Sequence, residues 1–343
     1  MMVKVPKEWT KSKQQQQQEE KQIEPKYCDD WSHVLASWHK AMNFHKGLER
    51  ALIVMLSSIV STDLIGDQLW VKVIGPASSG KSTLAEALSI AKKYVLAKST
   101  IRGFHSGFKD GKAGEEEDNS LIIQAAGKTL VTKDGDTLMT SPNIDQILAE
   151  ARDIYDKTSR SHYRNKMGKD YVGINMTWIL CGTASLTAID NSELGERFIT
   201  CVIMDGIDDE MEDEVLMMVA QKISDNLSDT DVGQKDHDKD QQLAVELTGG
   251  YVEYLRRNAQ LLMSEVVVPK ENLRRLARVG KFVAFTRARP SIRQEEKAER
   301  EFAARLVSQF VRLAKCAAVV LGKKLVDDEV MSLVVGVAND TSR

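Results

Sequence analysis

The chain of 343 residues has little of what would tie it to a metal, a membrane or an oxidising compartment. Its four cysteines, Cys28, Cys181, Cys201 and Cys316, show no CxxC or Cys/His spacing. That excludes a zinc framework. Two of them lie in apolar runs, so the sequence predicts buried thiols in a reducing compartment. The six histidines have no metal-ligand spacing, and no Ser/His/Asp or Cys/His arrangement has local support. Positive charge is not in excess. At a net charge of −3 a global basic signature for nucleic acid is absent, and any such contact must be a local patch. The longest apolar run, Ala51 to Val60, is about 10 residues, whereas a membrane span needs about 20. Met1–Pro6 lacks the apolar core of a signal peptide. A cytoplasmic protein with no membrane partner is expected.

What is present is a globular composition, with 42% hydrophobic residues, enough for one large domain or two. Residues 1–25 are polar, with a glutamine run from Gln14 to Gln18, and read as a disordered tail. From Trp31 a helical pattern begins, with Leu35, Trp38, Met42, Leu48, Leu52 and Leu56 at roughly helical spacing. It reads as a lead-in to an α/β core, the two together spanning 26–205. Within that core, Leu69–Ile74, Thr129–Thr132, Met176–Cys181 and Phe198–Met204 are strand candidates separated by helical patterns. Such alternation predicts a parallel sheet flanked by helices, with ligands at the C-terminal strand ends. Residues 206–242 read as an acidic amphipathic helix followed by a charged loop from Ser224 to Gln242. Residues 243–343 are helical in pattern throughout, ending in a polar stretch from Asn339 to Arg343.

One stretch carries chemistry on its own. Gly75-Pro76-Ala77-Ser78-Ser79-Gly80-Lys81-Ser82 has the Walker A spacing, between a strand pattern and the helical run that opens at Thr83. Glycines let the backbone wrap phosphate oxygens, and successive N–H groups of Ser78, Ser79 and Gly80 would point inward. The helix start adds partial positive charge. Lys81 would reach the outer phosphates of ATP, and the Ser82 hydroxyl would hold Mg²⁺.

Three weaker motifs follow. Lys128–Asp136 is an apolar run ending in acids, the pattern that holds Mg²⁺ in nucleotide-hydrolysing enzymes. Asp134 is the expected metal-holding aspartate. Gly135 stands where a glutamate would orient the attacking water. Asp136 does that work, another residue does, or hydrolysis is slow. Trp178–Thr183 is an apolar strand whose polar end, Thr183, is placed to sense the γ-phosphate or position water. Glu193–Phe198 puts Arg197 just before a strand, as an arginine finger offered to a neighbouring subunit.

Taken in order, these segments and the helical region after them resemble the AAA+ ATPases over about 45–340. The resemblance implies a ring or spiral of copies, commonly a hexamer, with ATP at the subunit interfaces and the C-terminal helices forming a lid. It also implies a lid arginine on the nucleotide, for which Arg287 is the candidate, with Arg289 and Arg278 as rivals. Two insertions are similar to those of MCM-type and helicase-like ATPases of phages and mobile elements. Phe104–Lys112 offers Phe108 and Lys109 for a pore loop. Thr158–Tyr171 is basic and aromatic, with Arg160, Arg164, Lys166 and Lys169, and matches a channel-lining hairpin that would track DNA phosphates. An oligomeric DNA-acting ATPase is the expectation. A nucleotide-switched assembly protein and a protein-remodelling ring are the alternatives. Because no segment reads as a winged helix, specificity is expected from a protein partner, or the chain is expected to be part of a larger machine.

Overall fold

The computed structural model describes residues 23–105, 118–162, 168–191, 194, 197–203, 213, 217, 231–287 and 303–342. Two helices, α1 (Trp31–Ala41) and α2 (Lys46–Ser61), lead in. The single helical pattern of the lead-in is broken between them. Met42 is extended, and the His45 side chain caps α2 by accepting from the Gly47 N–H. From Ala51 to Ser61 helix α2 is buried on every side, which is why apolar residues and small serines run all round that part of it. No helix among the described residues is long and apolar enough to cross a membrane.

Next come β1 (Trp70–Ile74), α3 (Lys81–Ser89), β2 (Val95–Lys98), α4 (Leu121–Ala125), β3 (Thr129–Thr132), α5 (Gly135–Met139) and α6 (Ile144–Tyr155). An antiparallel ribbon, β4 (Thr158–His162) with β5 (Gly168–Val172), precedes β6 (Thr177–Gly182), a 3₁₀ turn at Ala184–Asn191 and β7 (Phe198–Val202). The main sheet is five-stranded and wholly parallel, in the order β2-β3-β6-β1-β7. Strand side chains alternate between its faces. Val71, Val73, Ile179, Cys181, Ile199 and Cys201 pack on one face, against α2 and α3. Trp70, Ile74, Trp178, Leu180 and Phe198 pack on the other, with Ile147, Ala151 and Ile154 of α6. The four strand candidates lie where the apolar runs put them. β2 is absent from the strand candidates: its apolar run, Val95–Ala97, is short, and only Val95 is fully buried there.

The C-terminal helices are α7 (Asp231–Glu265), α8 (Lys270–Arg287), α9 (Ala304–Val320) and α10 (Asp328–Ser342). Helix α7 starts inside the stretch read as a charged loop. Asp231 to Gln242 contains no proline, so nothing stops helix propagation backwards from the packed part of α7. These helices, read from sequence as a lid, share one hydrophobic cluster with the sheet, α2 and α3. Arg256 of α7, with a buried side chain, locks them to the core. Its Nε and Nη2 donate to Asp63 at 2.7 and 2.8 Å, and Nη2 also donates to Gly127 O at 2.9 Å.

The polar chain end is structural. Asp340 and Thr341 of α10 accept from the backbone N–H groups of Val202 (2.8 Å) and Thr200 (2.9 Å), closing the open edge of β7. Asp340 also receives Arg50 at 3.0 Å, and Arg50 in turn donates to Val202 O at 2.6 Å. Replacing Asp340 with Ala strands a partly buried guanidinium and a partly buried N–H. Chemical denaturation is expected to show a loss of about 3 kcal/mol, the low end for breaking a buried pair.

Candidate functional site

Because all five strands are parallel, their C-terminal ends share one edge. That edge carries Gly75 after β1, Asp134 after β3, Thr183 after β6 and Ile203 after β7. β6 lies between β1 and β3, so Thr183 stands between the Gly75–Ser82 loop and the acids.

The loop is built for close approach by a ligand. Ser78 (φ +62°) and Gly80 (φ +86°) are both left-handed. Only glycine takes that conformation freely, and a Cβ on Gly80 would lie 3.0 Å from Leu48 of the lead-in. Turns of this kind aim backbone N–H groups into a shared concavity. Helix α3 starts at Lys81 directly behind, adding its free N–H groups and partial positive charge. The Ser82 hydroxyl-bearing side chain is exposed, and Thr83 is half-buried. Gly75 N–H donates to Gly182 O at 3.2 Å, fixing the loop to β6.

Lys81 is 8% exposed, and its ammonium turns back into the loop. Nζ donates to Gly75 O at 2.7 Å, Pro76 O at 2.5 Å and Ser79 Oγ at 3.2 Å. Burial lowers its pKa, against the pull of the Asp136 carboxylate. The site therefore holds a partly desolvated cation satisfied by neutral oxygens, which an anion would stabilise further.

The two acids exchange the positions expected of them. Asp134 is exposed and caps α5, accepting from Thr137 N at 3.2 Å and from the Thr137 hydroxyl. The first turn of α5 carries the chain round, so the acid facing β6 is Asp136. It accepts from Thr183 N at 3.0 and 3.1 Å, from Thr183 Oγ1 at 2.9 Å and from the Ser185 hydroxyl. Burial pushes its pKa up, but the bonds from Ser185 and Thr183 and the Lys81 charge outweigh it and hold the carboxyl below its ordinary value. Ser185 escaped the sequence reading because nothing in its neighbourhood marks it; only the 3₁₀ turn after β6 brings it to Asp136. Gly135 cannot be the missing glutamate. Its Cβ would sit 2.8 Å from Leu180, 2.9 Å from Leu186 and 3.0 Å from Cys181 O.

Neither arginine is at this edge. Arg197 is 7% exposed, and its Nη2 pairs with Asp156 at 2.9 Å while the guanidinium lies over the Tyr155 ring at 5.6 Å. It is a core group, not a finger for a neighbour. Arg197→Ala is expected to lower stability by about 1–3 kcal/mol, less than a fully buried pair because Asp156 is half exposed. Its turnover per folded molecule should stay at the wild-type level, and mixing it with wild-type protein should show no dominant loss. Arg287 is held at the opposite end of the sheet, where Nε donates to Thr341 O at 3.0 Å and Nη2 to Phe198 O at 3.3 Å. Phe198 opens β7, so this is the N-terminal edge, away from Gly75–Ser82. Arg278 is exposed on α8, and Arg289 lies outside the described residues.

Phe108, Lys109, Arg164 and Lys166 also lie outside the described residues. For Lys169 the structure gives the backbone, paired in register with Ser161 on the β4–β5 ribbon. The roots of the two insertions are joined. His105 stacks on Tyr171 at 5.4 Å and its Nε2 shares a hydrogen bond with Ser159 Oγ at 2.8 Å. Tyr171 donates to Asp118 at the far root of the first insertion, and Asp118 also takes the Ser120 hydroxyl at 2.6 Å.

All four cysteines are free and buried. Burial pushes the thiols of Cys181, Cys201 and Cys316 up to about 12, which makes them poor nucleophiles. No protein-family model and no curated protein matches the chain.

Proposed function

We propose that the chain is an ATP-hydrolysing P-loop ATPase of the AAA+ type that acts on DNA as an assembly of several copies. The observation that carries this is the Lys81 loop, opening at a helix start and facing the Asp136–Thr183 pair across one sheet edge. The strand inserted between β1 and β3 supports the AAA+ reading, because it supplies a polar group between the phosphates and the acid. The joined roots of the two insertions support a shared substrate for them.

In this reading the loop N–H groups and Lys81 hold the phosphates. Ser82 and Asp136 are the protein ligands for Mg²⁺. Among the described residues no group of three or more His, Cys, Asp or Glu stands together, and none is needed, since Mg²⁺ bound with a nucleotide keeps waters and phosphate oxygens in its shell. Bound Mg-ATP would supply the transferable phosphoryl group and neutralise its developing charge. Thr183, already bonded to Asp136, orients water or senses the γ-phosphate. An arginine offered from a neighbouring copy must be a residue other than Arg197.

A second reading, a nucleotide-switched assembly protein, is favoured by the acid itself. A carboxylate held by Thr183 and Ser185 below its ordinary pKa is a weak general base, and Gly135 leaves no room for another. The test is ATP hydrolysis with and without single-stranded DNA, alongside sizing with and without ATP. DNA-stimulated turnover with ATP-dependent assembly is the expected result. Slow, DNA-indifferent turnover with assembly favours the switch, and absence of ATP binding removes both readings.

A further inference from the structure

Helix α8 does not serve the nucleotide, yet it is the most basic described helix. Six of its eighteen residues are Lys or Arg, against one Glu, in a chain whose net charge is −3. Its inner face is fully used: Leu276, Gly280, Val283 and Ala284 are buried, three of them in the main core. The outer face presents Arg274, Arg278, Lys281, Phe282 and Phe285. That is spacing i, i+4, i+7, i+8 and i+11, a single stripe with about one cation per turn. Phe282 is 57% and Phe285 66% exposed, whereas most aromatic side chains among the described residues are buried. Among the described residues Arg274, Arg278 and Lys281 form no ion pair, whereas Arg275 is taken by Asp328 at 2.9 Å. The one acid of α8, Glu271, lies in its first turn, and Asp328, which takes Arg275, opens α10. Beside Phe282 a groove of about 550 Å³ runs between α8 and α10, with Val279 and Val335 as apolar walls and Ser332 and Asn339 as polar groups.

We propose that this stripe is a contact surface for single-stranded nucleic acid, DNA in the reading above, on whose DNA-acting half it rests. The cations match phosphates, and Arg in particular forks onto them. The phenylalanines match the faces of unpaired bases, and the groove offers hydrogen-bonding groups to base edges. A membrane surface fits worse. An interfacial helix buries its apolar face in lipid, and the apolar face of α8 is already in the core.

The test is fluorescence anisotropy of a labelled oligothymidylate on the full chain, across a salt series. A triple variant, Arg274→Glu with Arg278→Glu and Lys281→Glu, is expected to bind at least tenfold more weakly. Its salt slope should be shallower by about 2, for three lost phosphate contacts on a single strand. Phe282→Ala with Phe285→Ala keeps the charges and is expected to lose about 30-fold or more in affinity, for two lost stacking platforms, with an unchanged slope. Both variants change exposed positions, so thermal unfolding and affinity for a fluorescent ATP analogue should match wild type. If wild type binds the oligonucleotide and the triple variant binds equally well with the same slope, the stripe is overturned while the DNA reading stands. If wild type hydrolyses ATP but binds no oligonucleotide at low salt, the DNA reading fails and takes the stripe with it. Binding to phosphatidylserine vesicles but not DNA, lost in the triple variant, also overturns the proposal.

Discussion

Replacing Lys81 with alanine is expected to cut ATP turnover by about 10²–10³-fold, the scale for removing one preorganised donor from a charge that develops in a transition state. The side chain is nearly buried in the loop, and its ammonium is held by backbone carbonyls and a hydroxyl rather than by a carboxylate. Neutral acceptors satisfy its hydrogen bonds but leave its charge only partly compensated. A triphosphate offers the opposite charge in a site already shielded from water, where the interaction is strong. Removing Lys81 takes away three hydrogen bonds and also a desolvated cation, so the effects on folding oppose each other. The fold should survive, and Lys81→Met, closer in volume, separates any packing effect from the loss of charge. The measurement is steady-state hydrolysis with a parallel titration of a fluorescent ATP analogue. Wild-type turnover in both variants would mean that the loop is not the nucleotide site.

Sequence and structure agree where a local pattern is enough. Strands buried on both faces read as apolar runs, and Trp70–Ile74 and Thr177–Gly182 are of that kind. The Gly75–Ser82 loop is local too, because its function depends on spacing along the backbone. β2 lies at the edge of the sheet and is half-buried, so its residues carry little signal. The misplaced residues are those whose role is set by distant partners. Arg197 reads as a surface group until Asp156 and Tyr155 are folded around it. The end of the chain reads as polar fringe until Asp340 and Thr341 meet the free edge of β7. The family resemblance puts a nucleotide contact on the basic run of α8. Packing turns those cations away from the loop, and a sequence does not reveal which way a helix faces when cations and aromatics share its outer side. The placing of the acids is hidden for a subtler reason. Asp134 follows β3 after Lys133, but α5 begins at once and its first turn gives the inward position to Asp136.

That exchange of positions leads to the sharpest contrast between nearby residues. Asp136→Asn is expected to lower turnover by about 10²-fold, since it removes a metal-facing charge while keeping an acceptor for Thr183. Asp134→Asn should be silent, because asparagine caps a helix about as well as aspartate, and Asp134→Ala should cost only about 1 kcal/mol of stability without slowing hydrolysis. The acid dependence of folding gives a second readout. The Asp136 pKa is depressed in the folded state, so its carboxylate stabilises the fold above its unfolded pKa. That contribution is lost as pH falls through the folded value. The stability gap between wild type and Asp136→Asn should therefore narrow on acidification below the usual carboxylate range. If Asp134→Asn were the slow enzyme and Asp136→Asn the normal one, Asp134 would be the metal-facing acid. The Asp136–Thr183–Ser185 cluster would then be a purely structural clasp at the end of β6.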